Sequence, residues 1–133
     1  MRFVMKLEMQ PEELAATKDC DLNCSKHISV VNDIYSWEKE LLQSQASNED
    51  GSVLCSSVQV VSQETNIHIQ AAKRILWAMC REWELTHLEQ VEKLRQSGHG
   101  SNVLTYCKGL EFQMSGNELW SSGTKRYIGL ETQ

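Results

Sequence analysis

A chain of 133 residues with a net charge of −5 and a pI near 5.3 fits a single domain, and it is poorly suited to nucleic acid because no basic stripe follows any helix face. The sequence has no apolar run long enough to predict a transmembrane helix. The segment from Met1 to Gln10 lacks the apolar core and cleavage site of a signal peptide. The 5 cysteines have no disulfide-framework spacing, which favours reduced thiols and a cytoplasmic location.

The N-terminal third of the chain has a helical pattern. Pro11 is the only proline, which indicates long uninterrupted helices, and the acidic residues that follow it are typical of a helix start. Apolar residues near an i, i+3, i+4, i+7 spacing extend the helix to about Ser44. The helix either continues through the segment from Asp19 to Asp21 or breaks there.

The rest of the chain predicts three further helices. A polar loop from Asn48 to Ser52 is followed by Val53 to Glu64, which favours a short helix, although its Val and Ser content is also compatible with a strand. Ile67 to Gln96 predicts the longest helix, which Ser97 to Gly100 ends. A last helix is predicted from Asn102 to about Trp120. The sequence therefore predicts an all-α chain.

Three oxygen-bearing side chains, Asn32, Ser36 and Glu40, follow one another at intervals of four residues on the first long helix. Steps of four place residues roughly 6 Å apart along the axis and nearly on one face. An amide oxygen, a hydroxyl and a carboxylate suit Mg²⁺ or Mn²⁺ better than zinc. Since only Glu40 is anionic, an ion bound there would keep most of its charge for a phosphate-bearing substrate.

A solvated face is the ordinary explanation for this spacing. The neighbours Val31, Tyr35 and Trp37 argue against it, because they surround the three polar residues with apolar and aromatic groups. Asp33 and Glu38 are predicted to point elsewhere around the helix, as surface or supporting groups.

Near the C-terminus, Arg126 and Tyr127 offer a planar guanidinium and a phenolic hydroxyl, a suitable donor pair for phosphate oxygens. A surface Arg beside a packing Tyr is the alternative. Cys20, Cys24 and His27 share a helix face and resemble half of a zinc site. Because no second half is present, core thiols are the preferred interpretation.

Two other sets of residues predict no site. On the longest helix, Trp77, Cys80 and Glu84 are interpreted as packing and solvated positions. No histidine has a nucleophile-elbow partner, so a hydrolytic triad has no support.

These motifs resemble those of a known family. The run from Asn32 to Glu40 resembles the second metal-binding motif of class I terpene synthases, and Arg126-Tyr127 resembles their diphosphate-contacting pair. A wider set of segments is similar to the fungal aristolochene synthases, with Ser25 to His27, Ala72 to Trp77, Met79 to Glu84, Gly109 to Glu111, and Gln113 to Glu118 followed by Trp120.

The resemblance implies an all-α terpenoid synthase fold and a reaction. Asn32, Ser36 and Glu40 would bind one Mg²⁺ of a three-ion cluster. The substrate would be farnesyl diphosphate, which is ionised and then cyclised to a bicyclic sesquiterpene in an apolar pocket.

The resemblance also implies roles for four further residues. Lys39, Arg126 and Tyr127 would contact the diphosphate. Trp120 would present its indole face to a carbocation intermediate.

Two family features are missing from residues 1–133. The aspartate-rich motif that holds the other two ions has no counterpart in the sequence, nor does an upstream diphosphate-sensing arginine. We therefore expect a partial cyclase domain, similar to the C-terminal portion of the family and inactive alone. Its uncovered apolar wall would favour self-association. The alternative is a non-catalytic helical remnant that acts only through protein association.

Two structural expectations follow. The side-chain oxygens of Asn32, Ser36 and Glu40 should converge on one helix face. Thr124 to Tyr127 should leave the last helix as a short tail, because Gly123 precedes them.

Overall fold

The computed structural model describes residues 9–47 and 56–123. These residues form five helices and no strand, namely α1 (Pro11–Ala16), α2 (Lys18–Ser47), α3 (Ser57–Thr65), α4 (Ile69–Gln96) and α5 (Ser101–Gly123). The all-α prediction is confirmed. No helix in this part of the chain has both the length and the apolar character to cross a membrane. The predicted loop at 48–52 and the predicted tail at 124–127 lie outside the described residues.

The first predicted helix is interrupted at Thr17, slightly earlier than the sequence suggested. The buried Thr17 hydroxyl donates to the carbonyl oxygens of Glu13 and Leu14, each at 3.2 Å. A threonine that hydrogen-bonds back to the preceding turn bends or ends a helix. The chain then enters α2, whose Asp21 N–H donates to the Thr17 carbonyl oxygen at 3.0 Å.

Helix α3 is anchored to α2 through its first turn. The Ser56 side chain caps α3 by accepting from the Val58 N–H at 3.2 Å. Asp33 of α2 accepts from both the N–H and the hydroxyl of Ser57. At its other end, α3 stops at Asn66, which has a left-handed φ of 55°. Asp33 therefore has a capping role that the sequence interpretation did not predict.

Helix α4 begins and ends close to the predicted limits. The His68 ring nitrogen Nδ1 accepts from the Ala71 N–H at 3.4 Å, so the helix starts two residues after the predicted Ile67. Gly98, with φ of +80°, turns the chain toward α5. A positive φ is readily adopted by glycine, which explains why the helix ends there.

The central helix α2 packs against different partners along its length. Its second half contributes to a mainly aliphatic core shared with α3 and α4, formed by Val30, Val31, Ile34, Trp37, Val58, Ala72, Leu76 and Cys80. Its first half contributes to a sulfur-rich core shared with α5, formed by Cys20, Cys24, Val103, Tyr106, Cys107, Leu110 and Met114.

The described cysteines are free and buried, as expected for core thiols. Burial raises the pKa of the Cys24 thiol to about 11 and that of Cys80 to about 12. The Cys24 thiol donates to the Leu110 carbonyl oxygen at 3.8 Å, and the sulfur atoms of Cys20 and Cys107 are 3.9 Å apart. Because thiolates rather than thiols bind zinc, this environment does not favour the zinc alternative.

Candidate metal site

Asn32, Ser36 and Glu40 lie on consecutive turns of α2, and their local geometry is partly that of a shared site. The Ser36 hydroxyl, on a side chain only 8% exposed, donates to Glu40 Oε1 at 2.9 Å. These two oxygens therefore converge. We call Asn32, Ser36 and Glu40 the metal face.

The third residue of the metal face is directed toward α5. Asn32 Oδ1 accepts from Nδ2 of Asn117 at 3.4 Å, so the amide oxygen has a protein partner. The sequence interpretation did not predict that Asn117 contributes to this site. The sequence feature that could have indicated it is a polar amide within the last helix, three residues before Trp120.

One oxygen of the metal face has the chemistry expected of a cation ligand. Glu40 Oε2 is buried and has no hydrogen-bond partner. A buried, unpaired carboxylate oxygen is costly, and a bound divalent cation would offset that cost. The carboxylate, the hydroxyl and the amide together suit a hard ion such as Mg²⁺. The residues of the metal face therefore fit the metal that the family resemblance implies.

Aromatic and charged groups surround the metal face. Trp37 is buried, and the Tyr35 ring meets Trp77 edge-on with centroids 5.7 Å apart. Glu38 forms an ion pair with Lys73 of α4, away from Glu40. The positions next to the metal face along α2 thus include packed aromatic side chains as well as charged ones.

The other predicted site residues are distributed over two helices and the C-terminal segment. Lys39, next to Glu40 in α2, is partly buried. Trp120 of α5 is 56% exposed. Arg126 and Tyr127 lie outside the described residues.

A second polar group, which the sequence did not predict, joins three helices. Ligand atoms of His27 on α2, Glu84 on α4 and Glu118 on α5 lie within 4.8 Å of one another. Such a His/Glu/Glu set can hold a cation. His27 is 1% exposed, and its Nε2 donates to Glu84 Oε2 at 3.2 Å.

A guanidinium group already supplies the cation at this second group. Arg81 Nη1 lies 2.6 Å from Glu84 Oε2 and 3.0 Å from Glu118 Oε1, while Nη2 lies 3.3 Å from Glu118 Oε2. Hydrogen bonds to Glu118 and then Glu84 raise the pKa of Arg81. The guanidinium also stacks over Trp77, 5.2 Å from the ring centroid. We call His27, Arg81, Glu84 and Glu118 the arginine cluster.

Comparison with known protein families gives the class of this chain. Residues 1–85 match the family described as terpene synthase family 2, C-terminal metal binding. The match covers more than half of the chain and includes the metal face. The chain belongs to this family.

Individual relatives are consistent with that assignment. The chain is 52% identical over 128 residues to an aristolochene synthase of Aspergillus terreus, covering 96% of this chain and 40% of that protein. It is 56% identical over 128 residues to a (+)-aristolochene synthase of Penicillium expansum, covering 96% of this chain and 39% of that protein. The chain thus spans about two-fifths of the length of these relatives.

The fold agrees with a solved structure of the same kind. The crystal structure of aristolochene synthase from Penicillium roqueforti superposes with a TM-score of 0.80 at 46% sequence identity. The match covers 93% of this chain and 40% of that chain. The helical arrangement described above is therefore that of part of a terpene synthase.

Proposed function

We propose that this chain is part of a sesquiterpene cyclase that ionises farnesyl diphosphate with Mg²⁺ and cyclises the product to an aristolochene-like hydrocarbon. The observation that carries the proposal is the metal face, where Ser36 and Glu40 converge beside Asn32 and Glu40 keeps one buried oxygen unpaired. The names of the relatives support the choice of a sesquiterpene product. Residues 1–133 would form one partial cyclase domain.

In this proposal, the metal face holds one ion of a three-ion cluster through Asn32 Oδ1, Ser36 Oγ and the Glu40 carboxylate. Mg²⁺ bound there supplies positive charge that stabilises the departing diphosphate. Because Glu40 is the single anion among the three residues, the metal face leaves most of that charge uncompensated. A substrate with an anionic head would therefore bind the loaded metal face with favourable electrostatics.

The remaining proposed roles concern the substrate itself. Lys39, Arg126 and Tyr127 donate to diphosphate oxygens, which orients the leaving group and its charge. Trp120 presents its indole face to the hydrocarbon, where cation–π attraction of about 2 kcal/mol can stabilise a carbocation shielded from water.

We further propose that residues 1–133 do not complete the reaction alone. The sequence has no aspartate-rich motif to hold the other two ions. Large apolar side chains on α5 are also exposed, among them Phe112 at 65% and Leu119 at 75%. The other wall of the pocket and the missing motif would come from a further polypeptide segment of the same fold. A cytoplasmic location, the predicted one, suits this chemistry.

The alternative function is a non-catalytic helical protein that acts through association. The exposed Phe112 and Leu119 favour it, because apolar patches on a protein surface promote self-association. The two proposals differ in what they require of Glu40. The association proposal gives no role to the Glu40 carboxylate, whereas the cyclase proposal requires it as a metal ligand.

The test is product formation from farnesyl diphosphate and Mg²⁺. The chain is assayed alone and mixed with the complementary N-terminal portion of the Aspergillus terreus relative, and products are identified by gas chromatography and mass spectrometry. We expect sesquiterpene from the mixture only, with loss of product in Glu40→Gln. Glu38→Gln, on the same helix but paired with Lys73, is the matched control and should retain product. A folded, associated mixture that forms no product would refute the cyclase proposal.

A further inference from the structure

We propose that Arg81 is a positioning residue, which holds α5 against α2 so that the Asn117 amide fixes the orientation of Asn32. The contacts among Arg81, Glu118, Asn117 and Asn32 carry this inference. Only its consequence for metal binding rests on the proposed function.

The first step is the bridge from α4 to α5. Arg81 engages both oxygens of Glu118, through Nη1 at 3.0 Å and Nη2 at 3.3 Å. A bidentate pair fixes the relative orientation of its partners as well as their distance. The Glu118 side chain is 28% exposed and that of Arg81 is 53% exposed, so this pair is less screened by solvent than one between two fully exposed chains.

The second step concerns what Arg81 neutralises. Glu84 and Glu118 have carboxylate oxygens within 4.8 Å of each other, and one guanidinium nitrogen contacts both. Without the guanidinium, two like charges would face each other across the α4–α5 interface. Their repulsion would push Glu118, and the turn of α5 that carries it, away from α4. Arg81 thus turns a repulsive contact between helices into an attractive one.

The third step links Glu118 to the metal face. Asn117 immediately precedes Glu118, and its Nδ2 donates to Asn32 Oδ1. That hydrogen bond, at 3.4 Å, is long and therefore sensitive to small shifts of α5. Because Asn32 is an uncharged amide, either its oxygen or its NH₂ group could face a given direction, and the Asn117 donor selects the oxygen. A carbonyl oxygen has two lone pairs, so Asn32 Oδ1 keeps one that a metal could use. Arg81 acts on Asn32 through Glu118 and Asn117.

Trp77 fixes Arg81 in turn. The guanidinium stacks on Trp77, whose ring forms a T-shaped pair with that of Tyr35, one turn after Asn32 in α2. The contacts that fix the Arg81 guanidinium therefore involve α4, α5 and α2. This arrangement explains why an arginine suits the position: a lysine would keep the charge but lose both the bidentate geometry and the stacking.

The experiment uses the isotopically labelled chain and its side-chain amide signals in ¹H–¹⁵N NMR spectra. In Arg81→Met, we expect the cross-relaxation between the Asn32 and Asn117 amide groups to be lost, while circular dichroism keeps its helical signal. The apparent Kd for Mg²⁺, followed through the Asn32 amide, should rise about tenfold, the lower end of the effect typical of residues that orient a metal ligand. Arg81→Lys should restore part of both signals.

The matched control is Arg95→Met, which removes an exposed arginine from the same helix, paired with Glu92 three residues before it. It should leave both readouts unchanged. The double variant Arg81→Met with Glu118→Gln removes the repulsion together with the cation, so it should bind Mg²⁺ more tightly than Arg81→Met alone.

The outcomes separate this inference from the proposed function. Loss of the Asn32–Asn117 contact in Arg81→Met, with no Mg²⁺ response even in the unmodified chain, would support the positioning role and refute the metal face. A Mg²⁺ response that is equal in the unmodified chain, Arg81→Met and Arg95→Met, with the amide contact intact, would overturn the positioning role alone. If Arg81→Met loses its helical signal, Arg81→Lys provides the same comparison in a variant that keeps the charge.

Discussion

The metal face and the arginine cluster are built from similar ligands but differ in where their cation comes from. The metal face takes all three residues from one helix, α2, and leaves a buried Glu40 oxygen unpaired. The arginine cluster draws on α2, α4 and α5, and its two carboxylates already contact the Arg81 guanidinium. A cation supplied by the protein stabilises the fold, whereas an unpaired buried carboxylate favours the binding of a cation from solution.

This difference predicts opposite responses to substitution. Removing a member of the arginine cluster should reduce stability, because its partners lose a hydrogen bond or a compensating charge. Removing a member of the metal face should reduce metal affinity with little loss of stability. Four substitutions test this difference.

The largest expected effect is on stability, in His27→Ala. His27 is fully buried and donates to Glu84, so the substitution leaves a cavity and removes one of the two hydrogen bonds that Glu84 Oε2 accepts. We expect the free energy of unfolding to fall by about 3 kcal/mol in urea titration. His99→Ala, in the connection before α5, should change it by less than about 0.5 kcal/mol. Equal losses in the two variants would show that His27 contributes nothing beyond an average surface residue.

Glu40→Gln should have the largest effect on metal binding. It removes the only anion of the metal face, so we expect the Kd for Mg²⁺ to rise about 100-fold in calorimetric titration. The free energy of unfolding without metal should not fall, since the substitution removes a buried carboxylate oxygen that lacks a partner. An Mg²⁺ affinity that Glu40→Gln leaves intact would contradict the metal assignment.

Ser36→Ala should have an intermediate effect on both properties. Loss of the hydroxyl that donates to Glu40 should raise the Kd for Mg²⁺ about tenfold and reduce stability by about 1 kcal/mol. Ser29→Ala, an exposed position on the same helix, provides the control. Should both serines behave alike in the Mg²⁺ titration, Ser36 is not a ligand.

The smallest expected effect is the pH dependence due to His87. Burial lowers the pKa of His87, partly offset by its hydrogen bond to the Cys107 carbonyl oxygen at 3.0 Å. The unfolded chain therefore binds a proton more readily than the folded one. Stability is fully present above the ordinary histidine pKa of about 6.5 and falls as pH drops below it. Urea titrations between pH 7 and pH 5 should show this decrease, which His87→Gln should reduce. A profile unchanged by His87→Gln would assign the decrease to other groups.

The metal face could be predicted from the sequence because its three residues lie close together in the chain. Asn32, Ser36 and Glu40 are spaced by four residues, and a helix converts that spacing into one face without any knowledge of tertiary structure. Local patterns also located the first helical region and the three later helices to within a few residues. They placed the break after α1 slightly late, since the back-bonding of Thr17 depends on its rotamer and burial rather than on a pattern of residues.

The arginine cluster could not be predicted in the same way. Its members are separated by up to 91 positions between His27 and Glu118, and helical spacing relates only Arg81 and Glu84. Glu84 was interpreted as a packing or solvated residue because a glutamate on a long helix usually is one. The packing of α2 against α4 brings His27 to Glu84, and the packing of α5 against α4 brings Glu118 to Arg81. The contact of Asp33 with α3 was not predicted for the same reason, since its partner Ser57 belongs to another helix.

The central claim is that the metal face, and not the arginine cluster, binds a divalent cation together with diphosphate. Mn²⁺ tests it most directly, because this paramagnetic ion accepts the ligands of Mg²⁺ and broadens NMR signals close to it. The labelled chain is titrated with Mn²⁺ in the presence of inorganic pyrophosphate. We predict that signals around Asn32, Ser36 and Glu40 broaden first and recover when excess Mg²⁺ is added. Broadening that begins at His27, Glu84 and Glu118 instead would contradict the account.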